Sequence, residues 1–94
     1  MLTEKLTAAG FYTKKFPDVD GDVYIKEVKL LHMPHVRTHL FLGIGIQDSD
    51  VVTIDVYPQN DMMVSMWDWN SHEGPFGCDT ELGRAILCEA GVVV

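Results

Sequence analysis

Residues 39–70 read HLFLGIGIQDSDVVTIDVYPQNDMMVSMWDWN, and this stretch decides the fold. Leu40, Leu42, Ile44 and Ile46 alternate with Phe41, Gly43 and Gly45. Val52, Ile54 and Val56 alternate with Thr53, Asp55 and Tyr57, and Met62, Val64 and Met66 with Met63, Ser65, Trp67 and Trp69. Apolar residues at period two mark strands with one buried face. The separators Gln47-Asp48-Ser49-Asp50 and Pro58-Gln59-Asn60-Asp61 are turn-forming. The stretch predicts a three-stranded antiparallel meander over 39–70.

Outward from it, Val23 to Met33 reads as a further strand, with Val23 and Ile25 alternating against Tyr24 and Lys26. The pattern blurs at Val28, Lys29, Leu30 and Leu31, where a bulge or burial on both sides would scramble it. Asp20-Gly21 is a hairpin-turn dipeptide. Thr3 caps a predicted helix over 3–9, with Gly10 as its stop, and Asp79 or Thr80 caps a second running to about Ala90. Leu82, Ala85, Ile86 and Ala90 form the apolar stripe of that second helix. His32 to Thr38, with Pro34 inside it, reads as a connection, and Asn70 to Gly77 as a loop. The expected architecture is α+β: a four- to five-stranded antiparallel sheet with a short N-terminal helix and a C-terminal helix packed on one face.

At 94 residues, with 47% hydrophobic and 22% charged residues, the chain is expected to form a single domain over 1–94 rather than a disordered segment. No apolar run reaches the roughly 20 residues of a membrane helix, and Met1 to Lys5 lacks a signal-peptide layout. A cytoplasmic protein is expected. Cys78 and Cys88, if joined by a helix rising ~1.5 Å per residue, stand too far apart to bridge.

The net charge of −7 is unevenly spread. Residues 1–37 carry six Lys/Arg and five Asp/Glu, whereas residues 38–94 carry Arg84 alone against nine acidic side chains. That block repels nucleic-acid backbones and attracts basic partners. The pleat further collects Phe41, Gly43, Gly45, Thr53, Asp55, Tyr57, Ser65, Trp67 and Trp69 on the sheet face opposite the core. Large aromatics beside carboxylates and hydroxyls suit a contact platform, and they equally suit cross-strand support of the sheet itself.

Candidate chemistry is sparse. His32, His35 and His39 are imidazoles at H-x2-H-x3-H spacing, but Pro34 interrupts a helical register and no Asp or Glu lies between 28 and 47 to complete a site. Asp18 to Asp22 resembles the opening of a calcium loop, yet Gly21 stands at its fourth position and Lys29 at its twelfth, where Gly belongs at the sixth and Glu at the twelfth. A turn is the better reading. Cys78 precedes the C-terminal helix, where a helix N-terminus lowers a thiol pKa, and His72 lies close in sequence. Asp79 and Glu81 oppose that thiolate, and no third orienting residue is evident. Gly43-Ile44-Gly45 lacks the following helix of a nucleotide loop.

In size, acidity and paucity of motifs the chain is similar to small inhibitors of phages and mobile elements and to toxin-immunity proteins. The expected function is binding rather than catalysis: occupation of a basic, nucleic-acid-handling surface on a larger protein. Tyr57, Trp67 and Trp69 would anchor, and Asp48, Asp50, Asp55, Asp61 and Asp68 would steer and rim the contact. No cofactor, direct nucleic-acid contact or membrane contact is expected. The alternatives are a small metal-dependent or thiol enzyme using His32, His35, His39, His72 or Cys78, and an oligomer subunit pairing through its sheet.

Overall fold

A computed structural model describes residues 2–40, 49–59, 62–68 and 72–93 of the chain. Its elements are α1 (Leu2–Ala8), β1 (Tyr12–Lys14), β2 (Val23–Lys29), a 3-10 turn (Leu30–His32), α2 (Pro34–Leu40), β3 (Val51–Tyr57), β4 (Met63–Trp67), β5 (His72–Gly77) and α3 (Glu81–Glu89). The strands form one antiparallel sheet in the order β1-β2-β3-β4-β5, with the N- and C-terminal helices contributing to one core. The expected α+β architecture is what the chain adopts.

Val52, Ile54, Val56, Val64 and Met66 are buried on one sheet face, as their alternation requires, against Leu6 of α1, Val36 of α2 and Ile86 and Leu87 of α3. Register decides the sides of β2, which its alternation left open. Tyr24, Lys26 and Val28 stand opposite Val56, Ile54 and Val52, so these three share the helix-covered face. Val23 and Ile25 lie on the other face and are buried there too, outside the main core. Both faces of β2 therefore hide apolar residues. Its pattern blurs from Val28 onward because the strand, expected to run to Met33, ends at Lys29 and gives way to the 3-10 turn Leu30–His32. The Lys26 ammonium, brought under the helices by this register, donates to the carbonyls of Ala9 (2.7 Å) and Ala90 (2.6 Å).

The meander itself is shifted. β3 is flanked by β2 and β4, so the three-stranded unit expected over 39–70 is part of a five-stranded meander running from β1 through β5. His39 and Leu40, expected to open a strand, close α2 instead; the rest of that expected strand, 41–46, lies outside the described residues. Pro34, read as a break, occupies the first turn of α2, where a missing N–H costs nothing. The helix start is completed from afar: the Glu89 carboxylate on α3 accepts from the backbone N–H groups of His35 (2.7 Å) and Val36 (2.8 Å). A carboxylate at a helix N-terminus meets both the orphan donors and the positive end of the dipole.

The segment 72–77, read as a loop, is the edge strand β5. Between the pairs Val64↔Phe76 and Met66↔Glu73, Ser65 faces two residues, Gly74 and Pro75, which is a bulge. Gly74 has φ +108°, and a Cβ there would sit 3.0 Å from the Val64 carbonyl oxygen, so the bulge requires glycine. The C-terminal helix starts as expected, with Thr80 Oγ1 accepting from the Gly83 N–H at 3.1 Å.

Candidate functional site

The sheet face turned away from the helices carries a groove of about 500 Å³. β3 supplies Tyr57, β4 supplies Ser65 and Trp67, β5 supplies His72 and Pro75, and the connection between β1 and β2 supplies Asp18, Val19 and Asp20. Trp67 and His72 are direct cross-strand partners, and their rings stack at 3.9 Å between centroids and 19° between planes. That pairing leaves Trp67 42% exposed.

Asp55 lies among these residues on the same face. Ser65 is its cross-strand partner, and the Tyr57 hydroxyl donates to its Oδ2 at 3.1 Å. The residue is only 7% exposed, and its Oδ1 is buried with no hydrogen-bond partner among the described residues. Burial pushes the Asp55 carboxyl above the usual carboxylate range; donors on Tyr57 and Trp67 and the nearby His72 pull it down, while Glu27 adds to the rise. Burial, then the neighbouring Asp55 charge, pushes the Tyr57 phenol up to about 12, so it remains a donor at neutral pH.

A raised carboxyl pKa has a definite sign for stability. Folding is penalised by the charge once pH exceeds the unfolded-state value, and the penalty is absent where both states are protonated. Asp55→Asn, which keeps an acceptor for Tyr57, is therefore expected to stabilise the fold at pH 7 by about 1 kcal/mol, the scale of an unsatisfied buried group. For a domain of this size that corresponds to a melting temperature higher by roughly 5 °C. The gain shrinks to nothing by pH 3. Paired thermal melts at pH 7 and pH 3 check it, and a gain that is the same at both would trace the effect to something other than the charge.

The expected anchors and carboxylates are distributed unevenly. Tyr57, Trp67 and Asp55 gather at the groove. Asp50 precedes β3 at the end remote from Tyr57, about 23 Å away at ~3.3 Å per residue. Asp50 and Asp68 are half-buried and engaged in interactions of their own. Asp48, Asp61 and Trp69 lie outside the described residues. Asp18, Asp20 and His72 were not among the expected contact residues, whereas Ser65 was expected on this face. The Asp18–Asp22 run pointed only to a turn, and His72 joins the groove through the register of an edge strand that composition concealed.

Among the described residues the enzyme candidates do not assemble. His32 sits in the 3-10 turn and His35 on α2, both exposed, while the His39 side chain is outside the described set. Among the described residues no three His, Cys, Asp or Glu side chains converge as metal ligands. Cys78 is 6% exposed, and burial, with a smaller contribution from Asp79, pushes its thiol up to about 11. It is a protonated thiol at neutral pH, the opposite of an activated nucleophile, and His72 stacks on Trp67 instead. No described helix is long and apolar enough to cross a membrane. No protein-family model, curated protein or solved structure matches the chain.

Proposed function

We propose that the protein is a binding protein that docks on a basic surface of a larger protein through the groove-bearing face of its sheet. The observation that carries this reading is the lining of the groove. Asp18 and Asp20 stand with Trp67, Tyr57 and His72, Asp55 lies beside them, and no Lys or Arg is among the described lining residues. Aromatic side chains beside carboxylates supply the two parts of a contact with a basic surface: a broad apolar area that excludes water, and charge that steers and orients. The excess of acid beyond residue 37 extends the same field across the molecule. A surface built to hold phosphates offers the complementary charge, because a carboxylate presents a lysine or arginine with the same kind of acceptor. Occupying such a surface would deny it to nucleic acid, and inhibition is the mode of action we infer.

The test is capture from a lysate fraction enriched in basic proteins, with the wild-type chain, Trp67→Ala and the double variant Asp18→Lys/Asp20→Lys as baits. A single partner held by wild type, released at high salt and bound roughly 30-fold more weakly by Trp67→Ala, is the expected result for an aromatic anchor worth about 2 kcal/mol. The captured partner should also lose its affinity for DNA or RNA when one equivalent of the protein is added. Capture that both variants retain in full would overturn the reading.

A further inference from the structure

We propose that the groove is a receptor for one arginine side chain of the partner, whose guanidinium completes the hydrogen bonding of Asp55; this rests on the docking reading and names its central contact. Asp55 is more than nine-tenths buried, and its Oδ1 has no donor among the described residues. Buried carboxylate oxygens are nearly always satisfied, so an orphan beside an open groove points to a donor that arrives from outside the chain. Tyr57 and Ser65 flank Asp55 on its own face, and Trp67, two residues beyond Ser65 on β4, shares that face. All three line the groove, so the groove is the side from which that donor approaches.

The other groups present select the cation. Asp18 and Asp20 line the same groove from the β1–β2 connection, so an incoming positive charge meets acceptors at more than one point. A guanidinium is planar, carries five N–H donors and is weakly hydrated, so it can bridge separate carboxylates while lying against an aromatic surface. The half-exposed Trp67 offers such a surface. An ammonium is a compact, strongly hydrated point charge and uses this arrangement less well. A neutral isostere would leave the Asp55 charge unanswered, and an anion would be repelled by three carboxylates.

The probes are capped tripeptides, acetyl-Gly-Arg-Gly-amide and its lysine and citrulline counterparts, titrated into the intact chain at pH 7. The readouts are the Trp67 indole N–H resonance, assigned with Trp67→Phe, and the ring resonances of His72. Saturable shifts with the arginine peptide are expected, at least 10-fold tighter than with citrulline and several-fold tighter than with lysine. Asp55→Asn, confirmed as folded by its dispersed amide spectrum, should weaken arginine binding about 10-fold. Equal binding of arginine and citrulline peptides, no saturable shift, lysine binding as tight as arginine, or undiminished binding to Asp55→Asn would each overturn the inference. If those results came with partner capture that still depended on Trp67, this inference alone would fall and the docking reading would stand.

Discussion

Gly83→Ala is expected to lower the stability of the protein by about 3 kcal/mol, the upper range for forcing added volume into a closed site. Helix propensity alone gives the opposite sign, since alanine is preferred over glycine inside a helix by about 1 kcal/mol. The two effects are separable because the obstruction is specific. Gly83 is buried in the first turn of α3, and a Cβ there would overlap the Gly77 carbonyl oxygen and crowd the Cα of Cys78. Every one of those atoms is backbone, so no rotamer change relieves the clash. Nor is the backbone free to retreat. The Gly77 carbonyl accepts from both the N–H (3.1 Å) and the hydroxyl (2.6 Å) of Thr80, and the Cys78 N–H donates to the Met62 carbonyl at 2.8 Å. Moving α3 outward would instead withdraw Ile86 and Leu87 from the core. A fall in melting temperature of roughly 12 °C or more is expected at 4–8 °C per kcal/mol. Ala85→Gly, on the same helix, should lose only about 1 kcal/mol from backbone entropy. Urea midpoints of the three proteins decide the matter, and any gain from Gly83→Ala would show that α3 docks more loosely on the β5–α3 turn than the geometry states.

This close approach was invisible in the sequence, where Gly83 interrupts an otherwise ordinary amphipathic stripe. What the sequence did make legible were the features set by local periodicity. Val52, Ile54 and Val56, and Val64 with Met66, announced both their strands and their shared face, and Thr80 with the stripe after it announced α3. Where two demands fell on one residue, the signal failed. In β2 both faces are buried, so alternation could not say whether Val23 and Ile25 or Tyr24 and Lys26 faced the helices. Gly74 and Pro75 disguised β5 as a loop because a bulge needs the same residues that a turn does. α2 was hidden for another reason: its N-terminal donors are satisfied by Glu89, 53 residues beyond Val36, and no local window contains that contact.

The groove divides in the same way. That Asp55, Tyr57 and Trp67 share a face follows from the pleat alone, and the structure places them there. The lip formed by Asp18 and Asp20 depends on where the β1–β2 connection folds, which charge and turn propensity do not specify. The acidic residues counted toward the expected contact surface are consequently a mixed set. Asp50 lies a strand's length from the groove, while two carboxylates from the near-neutral N-terminal part belong to it. A charge balance along the chain reports the overall field, and only strand register sorts out which charges meet one ligand.

Register also carries the second large effect. Lys26→Met is expected to destabilise the protein by about 3 kcal/mol, because hydrogen bonds from a charged donor contribute roughly 1.5–3 kcal/mol each and two are lost, offset in part by the apolar gain of methionine. The ammonium donates to the carbonyls of Ala9 and Ala90, the residues just beyond the last turns of α1 and α3. Both turns end in a glycine of positive φ, Gly10 and Gly91 at +96° each, so both helices stop at the same cation. A helix C-terminus presents orphan carbonyls and the negative end of the dipole, and one charge here answers two of them. The Phe11 ring, 6.0 Å from the ammonium, adds a third contact. Since α1 and α3 are far apart in sequence and contribute Leu6, Leu87 and Ala90 to the same core, Lys26 ties the first and last helices to one point on β2. Hydrogen exchange distinguishes this from a general loss of packing. Amides in the last turns of α1 and α3 should lose protection together in Lys26→Met, ahead of those in β3 and β4, while Lys29→Met on the exposed end of the same strand should change stability by less than about 0.5 kcal/mol. Partial burial also limits screening by salt, so the deficit of Lys26→Met should persist in 1 M NaCl. A deficit erased by salt, or loss of protection confined to one helix, would mean that the two termini are capped separately.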